Sequence, residues 1–229
     1  MHDDGRGYIT DVCIKRKIRN AAEVDGQNIF VSSGENIAEK LKQPNLAESY
    51  WDVRMFGAVV TEKGSKQNRS IRGAAQMGFA TSINPIDVEQ VCITSSVGRK
   101  EDQTQTMGNK WIVRHAVYRQ EIYINPHLAK QHGVTENDLA VLESAIANMM
   151  EFDKSAARPN VNVRGLYRIA HDSPIGYAPS WETTGSVKVE SLTQPSSSWN
   201  DYTVTVAGVS MRVGDSHVLT PGVTITRIV

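Results

Sequence analysis

Lys15, Arg16, Lys17 and Arg19 place four cations in five consecutive positions. Ammonium and guanidinium groups at this density bind phosphates, lysine as a point charge and arginine as a planar fork that addresses two oxygens at once. Other stretches repeat the pattern. Residues 63–72 carry four bases and no acid, and residues 99–119 hold Arg99, Lys100, Lys110, Arg114 and Arg119 against Glu101 and Asp102. Residues 154–168 hold Lys154, Arg158, Arg164 and Arg168 with no acid, while compensating acids concentrate in 136–153 as Glu136, Asp138, Glu143, Glu151 and Asp153. Charge is therefore segregated along the chain, which is a hint of segregation in space and no more.

Groups suited to covalent chemistry are scarcer. His115 stands in a basic neighbourhood, and we read it first as a strand histidine that packs on the sheet or touches a phosphate. The alternative is metal-free RNA cleavage, with His115 as general acid or base. His127 and His132 are five apart and do not stack on one helical face, and Cys13 and Cys92 form no CxxC pair, so no metal site is expected. "GAAQMGFA" lacks the lysine and the spacing of a phosphate loop, and no GxSxG nucleophile elbow is present. No catalytic residue and no cofactor are expected.

The elements that must position these groups can be read from spacing. Residues 10–22 predict a helix, with Thr10 as cap, Asp11 at the positive end, and Ile14 and Ile18 one turn apart. At about 100° per residue, Lys15, Arg16 and Arg19 fall on a face turned away from that apolar stripe, and Lys17 flanks the stripe and snorkels. No acid lies three or four positions after these cations except Glu23 after Arg19, so they repel one another by up to ~0.5 kcal/mol per close pair. A polyanion would relieve that repulsion; the competing reading is a solvated basic surface. Further helices are expected near 35–43 and 50–60, with Gly57 allowing close packing. Residues 71–86 predict a strand entered through Gly73, followed by a long β-hairpin with a charged tip over 99–110. Its returning strand alternates from Val113 to Gln120. "NPHLAKQHG" reads as a connection into the clearest helix, "ENDLAVLESAIANMM", which Thr135 and Asp138 begin as a capping box. Beyond it come strands in "VRGLYRIAH" and "SVKVESL" and a β-rich tail turned at Pro221-Gly222. This order predicts an α+β fold with an antiparallel sheet.

Composition bounds the partners. The 229 residues hold 25 acids and 25 bases, so bulk charge names no polyanion and only clustering argues for nucleic acid. With 40% hydrophobic and 22% charged residues the chain is an ordinary globular one. No apolar run suits a membrane span and "MHDDGRGY" is no signal peptide, so a cytoplasmic chain with both thiols reduced and buried is expected.

"GRGYITDVCIKRKIRN", "WDVRMFGAVV", "SIRGAAQMGFATSINPI", "TMGNKWIVRHAVYR", "EFDKSAAR" and "LYRIAHDSPIGYAP" occur in this order over roughly residues 5 to 206. In that combination the chain closely resembles the backbone subunit of type I CRISPR surveillance complexes (Cascade), subtype I-C. The resemblance implies a palm like an RNA-recognition motif, or ferredoxin-like fold, with a finger insertion and a protruding β-hairpin thumb. It implies a single palm domain over 1–229, with 21–50 as a reduced finger segment, 91–125 as the thumb and 207–229 as a tail of unassigned role. It further implies a non-catalytic protein of the prokaryotic cytoplasm that polymerises along CRISPR RNA in an antiviral helical ribonucleoprotein. Its partners would be the CRISPR RNA, copies of itself, other Cascade subunits and the target DNA strand, with no membrane. RNA contacts are expected from Lys15, Arg16, Arg19, Arg72, Gln76, Lys110, Lys154 and Arg158, which hold phosphates without reading sequence. Met107 would be an apolar wedge between bases, or would pack on a neighbouring subunit, and Arg54 would be an internal ion-pair partner.

The resemblance also sets an expectation against this chain. The family begins with a hydrophobic strand before the first helix, and "MHDDGRGYI" is not expected to supply one.

Overall fold

A computed structural model describes residues 4–34, 37–60, 69–95 and 106–229, with backbone alone at Ile37, Arg69, Ser95, Thr106 and Met107. The bases of 63–68 and residues 99–105 of the expected tip over 99–110 lie outside the described residues, and residues 106–110 of that stretch belong to a strand. The chain divides into two compact units, one made of Met1–Tyr8, Ala80–Arg119 and Val189–Val204, the other of Ile9–Phe79, Gln120–Lys188 and Thr205–Val229.

The larger unit is built on two helices that the sequence announces. In α1 (Asp11–Val24), Thr10 has extended backbone and its Oγ1 accepts from the Cys13 amide at 3.4 Å, with Asp11 in the first turn. In α6 (Glu136–Asn148), Thr135 and Asp138 exchange both bonds of a capping box. Ile14, Ile18 and Ala22 of α1 pack with Leu142, Ala145 and Ile146 of α6 and with Trp51 and Met55 in one buried core. The short helices α2 (Ile37–Lys40), α3 (Leu46–Ser49) and α4 (Trp51–Phe56) follow α1. The helix expected over 50–60 stops at Phe56 because Gly57 takes φ +81 and turns the chain into β2 (Gly57–Val60). Gly57 does allow close packing, since a side chain there would run into the Ile71 carbonyl of the partner strand and the Gly73 amide just past its end.

The strand expected over 71–86 is instead three: β3 (Arg69–Arg72), β4 (Ala75–Met77) and β5 (Ala80–Pro85), interrupted at Gly73-Ala74 and Gly78-Phe79. β3 pairs with β2, and β4 pairs with β9 (Ile122–Ile124). "PHLAKQ" is a short helix, α5 (Pro126–Gln131), capped by Asn125 and started by its proline. β10 (Tyr167–His171) pairs antiparallel with β14 (Val223–Arg227), which pairs with β13 (Ser216–Thr220). The tail is thereby woven into the fold, with Val223 and Ile225 fully buried. The helix α7 (Ser180–Gly185) precedes β11 (Val187–Ser191), and β11 pairs with β12 (Tyr202–Val206).

β1 (Arg6–Ile9), β5 and β8 (Tyr118–Arg119) form a three-stranded sheet with β5 in the middle. The expectation that "MHDDGRGYI" supplies no strand is overturned. Gly7 lets β1 pack against Ile86 and Tyr118 where a side chain would clash, and its amide donates to the buried Ser82 Oγ at 3.0 Å. β6 (Val88–Ser95) and β7 (Thr106–Val113) form the expected hairpin, paired in register from Val88↔Val113 to Ser95↔Thr106. The returning strand breaks after Val113, so the alternation from Val113 to Gln120 is not one strand.

Both thiols are exposed, not buried. Cys13 lies on the solvent side of α1, and Cys92 lies on a ribbon too thin to cover it. No helix among the described residues is long and apolar enough to cross a membrane.

Candidate nucleic-acid interface

The basic face of α1 does not point outward as expected. Arg19 is only 8% exposed, and its Nε donates to Asp52 Oδ2 at 2.8 Å. Asp52 is fully buried and also accepts from the Phe30 and Val31 amides at 2.7 and 3.2 Å. Arg16 donates from Nη1 to the Val31 carbonyl at 2.6 Å. Lys40 Nζ holds the Ile29 and Phe30 carbonyls at 2.6 and 3.2 Å. These cations thus clamp the irregular segment 29–31, whose polar backbone has no ladder to satisfy it. Lys15 pairs with Asp11 at 2.9 Å, one turn before it, and that bond holds the Asp11 carboxyl below its ordinary range. The acid that neutralises Lys15 precedes it in the chain, at Asp11. α1 packs on α6 and also faces Asp52, so its buried side is wide enough to include Arg19.

The acids of 136–153 meet cations from elsewhere in the larger unit. Asp138 Oδ1 accepts from Arg54 Nη2 at 2.7 Å, so Arg54 is an internal ion-pair partner. Burial pushes the Asp138 carboxyl up, but the bonds from Arg54 and from the Thr135 amide and hydroxyl outweigh it and lower its pKa. Glu143 pairs with Arg168 at 3.3 Å. Segregation along the chain therefore folds largely into pairing.

One cluster stays at the surface. Lys17 and Arg158 both address Oδ2 of Asp153, Arg158 through Nε at 3.3 Å, and Arg158 is exposed. Beside them Lys154 Nζ reaches Asn162 Oδ1 at 3.0 Å, the Val161 carbonyl at 3.2 Å and Glu151 at 3.3 Å. The structure thus brings Arg158 together with Lys17, a residue expected to snorkel, on Asp153, while Lys154 has its own partners. Arg72 is exposed on β3, and its carbonyl meets His132 Nε2 at 2.8 Å. Gln76 is half-buried and donates to the Gly73 carbonyl at 2.8 Å.

Lys110 lies exposed on β7, cross-strand from Val91. Met107 pairs in backbone with Thr94, and its side chain is outside the described residues. The ribbon shows apolar side chains on both faces. Trp111, 65% exposed, stands with Val88 and Val113 on one, and Val91 and Ile93 stand on the other. Trp111 was not singled out in the sequence, although an aromatic in a polar hairpin was the available signal.

His115 is poorly placed for acid–base work. Its Nε2 is buried without a hydrogen-bond partner, and its ring packs on Tyr202 at 5.8 Å between centroids. A general acid or base must reach the proton it moves. Among the described residues no group of three His, Cys, Asp or Glu side chains is placed to hold a metal ion.

Known proteins agree with this picture at the level of family. No curated protein matches the chain in sequence. Among solved structures, a chain of a "CRISPR RNA-guided surveillance complex, pre-nicking" aligns at 11% identity and a TM-score of 0.46, covering 72% of this chain and 70% of its own length. A chain of a "CRISPR RNA-guided surveillance complex" aligns at 17% identity and a TM-score of 0.44, covering 78% of this chain and 62% of its own. At those scores the likeness carries no argument. The sequence match is of a different order, because the family described as CRISPR-associated protein Cas7 matches residues 1–207. That span takes in β1, α1, the hairpin and the Asp153 cluster, and the chain belongs to the CRISPR-associated protein Cas7 family.

Proposed function

We propose that this chain is a non-catalytic scaffold that binds CRISPR RNA, polymerises along it with copies of itself, and presents the guide to a target DNA strand. The observation that carries the reading is the family match over residues 1–207. On this reading it acts with other Cascade subunits of a type I-C complex in the prokaryotic cytoplasm. The chain carries an RNA-recognition-motif-like palm with a reduced finger segment over 21–50, and the β6–β7 ribbon overlaps the thumb segment 91–125.

Two features support it. The β6–β7 ribbon is two-stranded and exposes Trp111, Val91 and Ile93, and such a ribbon is marginal in water unless something packs on it. A neighbouring copy would cover it, with Met107 as the wedge and Lys110 beside the RNA. The exposed cations Arg72, Lys110, Lys154 and Arg158 are the phosphate contacts, while Lys15, Arg16 and Arg19 hold the fold. Phosphate contacts of this kind carry affinity without sequence, as a scaffold for any guide requires.

The test is binding to unrelated single-stranded RNAs of equal length. Equal affinities are expected, falling linearly with the logarithm of salt by about 0.7 per neutralised phosphate. Sequence-restricted or salt-insensitive binding would contradict the proposal.

A further inference from the structure

Asp153 is the point on which two cations from separate segments meet. An ammonium and a guanidinium from separate segments, Lys17 of α1 and Arg158 after α6, converge on a single carboxylate oxygen, Oδ2. Two cations meeting at one anionic oxygen is the arrangement that would hold a backbone phosphate. The site is open on one side: the Arg158 side chain is 53% exposed and that of Asp153 is 26% exposed, whereas Lys17 is 11% exposed and anchored. Lys154 follows Asp153 in the chain, but its ammonium is turned to Glu151, the Val161 carbonyl and Asn162, so the point itself is held by two cations. The carboxyl is held below its ordinary range, first by the hydrogen bond from Lys17, so it is ionised at neutral pH.

We propose that Asp153 is a placeholder for an RNA phosphate: it keeps Lys17 and Arg158 converged while the site is empty, and a phosphate of the guide displaces it when RNA binds. The inference rests on the RNA-binding reading above. It solves a physical difficulty, since Lys17 and Arg158 brought together without an anion would repel each other and splay into water. A carboxylate that can swing toward solvent pre-arranges them and then competes with the ligand. The arrangement trades some affinity for order in the empty site.

The placeholder has a consequence that simple ion pairing lacks. Asp153→Asn removes an interaction made only by the RNA-free chain, so it lowers the melting temperature of the free chain and leaves that of the RNA-bound chain unchanged. By linkage RNA affinity then rises, by about two- to fivefold if the lost pairing has the strength of exposed ion pairs. Glu143→Gln, an equal charge change at the separate Arg168 pair, supplies the control for general attraction to a polyanion. In a Lys17→Ala, Arg158→Ala background the gain from Asp153→Asn should vanish.

The experiment is RNA binding and melting of the unsubstituted chain, Asp153→Asn, Glu143→Gln and the triple variant, with one single-stranded RNA. A gain specific to Asp153→Asn that disappears in the triple variant supports the placeholder. Weaker binding by Asp153→Asn, no change, or a gain matched by Glu143→Gln overturns it while leaving RNA binding intact. Failure of the unsubstituted chain to bind RNA overturns the functional reading, and the placeholder with it.

Discussion

Arg19 and Asp52 are 33 positions apart in the chain and 2.8 Å apart in the fold, the guanidinium nearly and the carboxylate fully removed from solvent. The most conspicuous basic run in the sequence is thus partly an interior feature. Removing Asp52 would strand Arg19 and free the Phe30 and Val31 amides together. Asp52→Ala should destabilise the fold by about 3–5 kcal/mol, the cost of leaving a buried charge without its partner. Lys15→Ala, at a surface pair within one helix, should cost only ~0.5 kcal/mol. Denaturant unfolding of the two variants checks the contrast, and similar losses would count against the buried assignment of Arg19.

Acid should unfold the chain through its paired carboxylates. Asp138 has its pKa lowered in the folded state from an ordinary value of 3.8. The stability it contributes is therefore complete above that value and is lost as pH falls through the lower, folded one. Arg54→Ala removes the first of the bonds that lower it, so the variant should be less stable at neutral pH and show a shallower loss on acidification. Unfolding midpoints measured from neutral pH to below 3 test this, and parallel pH profiles would contradict it.

How much of this was legible depends on how far apart the interacting residues are. The cap of α1 and the capping box of α6 depend on neighbours within three positions, and both are present as read. The β6–β7 hairpin was readable because its strands are adjacent in the chain. What failed was tertiary. Nothing near Arg19 announces Asp52, nothing near Lys17 announces Asp153, and α1's second packing surface is set by α4, which carries Asp52. β1 was missed for another reason: "RGYI" looks weak as a strand, but its glycine is what lets it reach Ile86 and Tyr118. The breaks at Gly73 and Gly78 had visible glycines whose effect on the ladder was underrated.

Salt dependence separates the surface cations from the buried ones. Lys154→Ala and Arg158→Ala should each lower the magnitude of the slope of log affinity against log salt by about 0.7, one phosphate contact apiece. Arg19→Ala should leave the slope unchanged, because its guanidinium faces Asp52. The three slopes are measured on one RNA, and a loss of slope in Arg19→Ala would return that residue to the interface.

Cleavage gives a direct check on catalysis. Incubation with repeat-containing precursor RNA should yield no product from either the unsubstituted chain or His115→Ala, in keeping with a histidine whose Nε2 is buried without a partner. Product formation abolished by His115→Ala would replace the scaffold reading with an endonuclease.

The central claim, a subunit that polymerises on RNA without regard to sequence, is tested most directly by counting copies. Native mass spectrometry of the chain on single-stranded RNAs of increasing length should show copy number rising in equal steps with length, at the same length per copy for unrelated sequences. One copy per RNA regardless of length, or steps that depend on sequence, would contradict it.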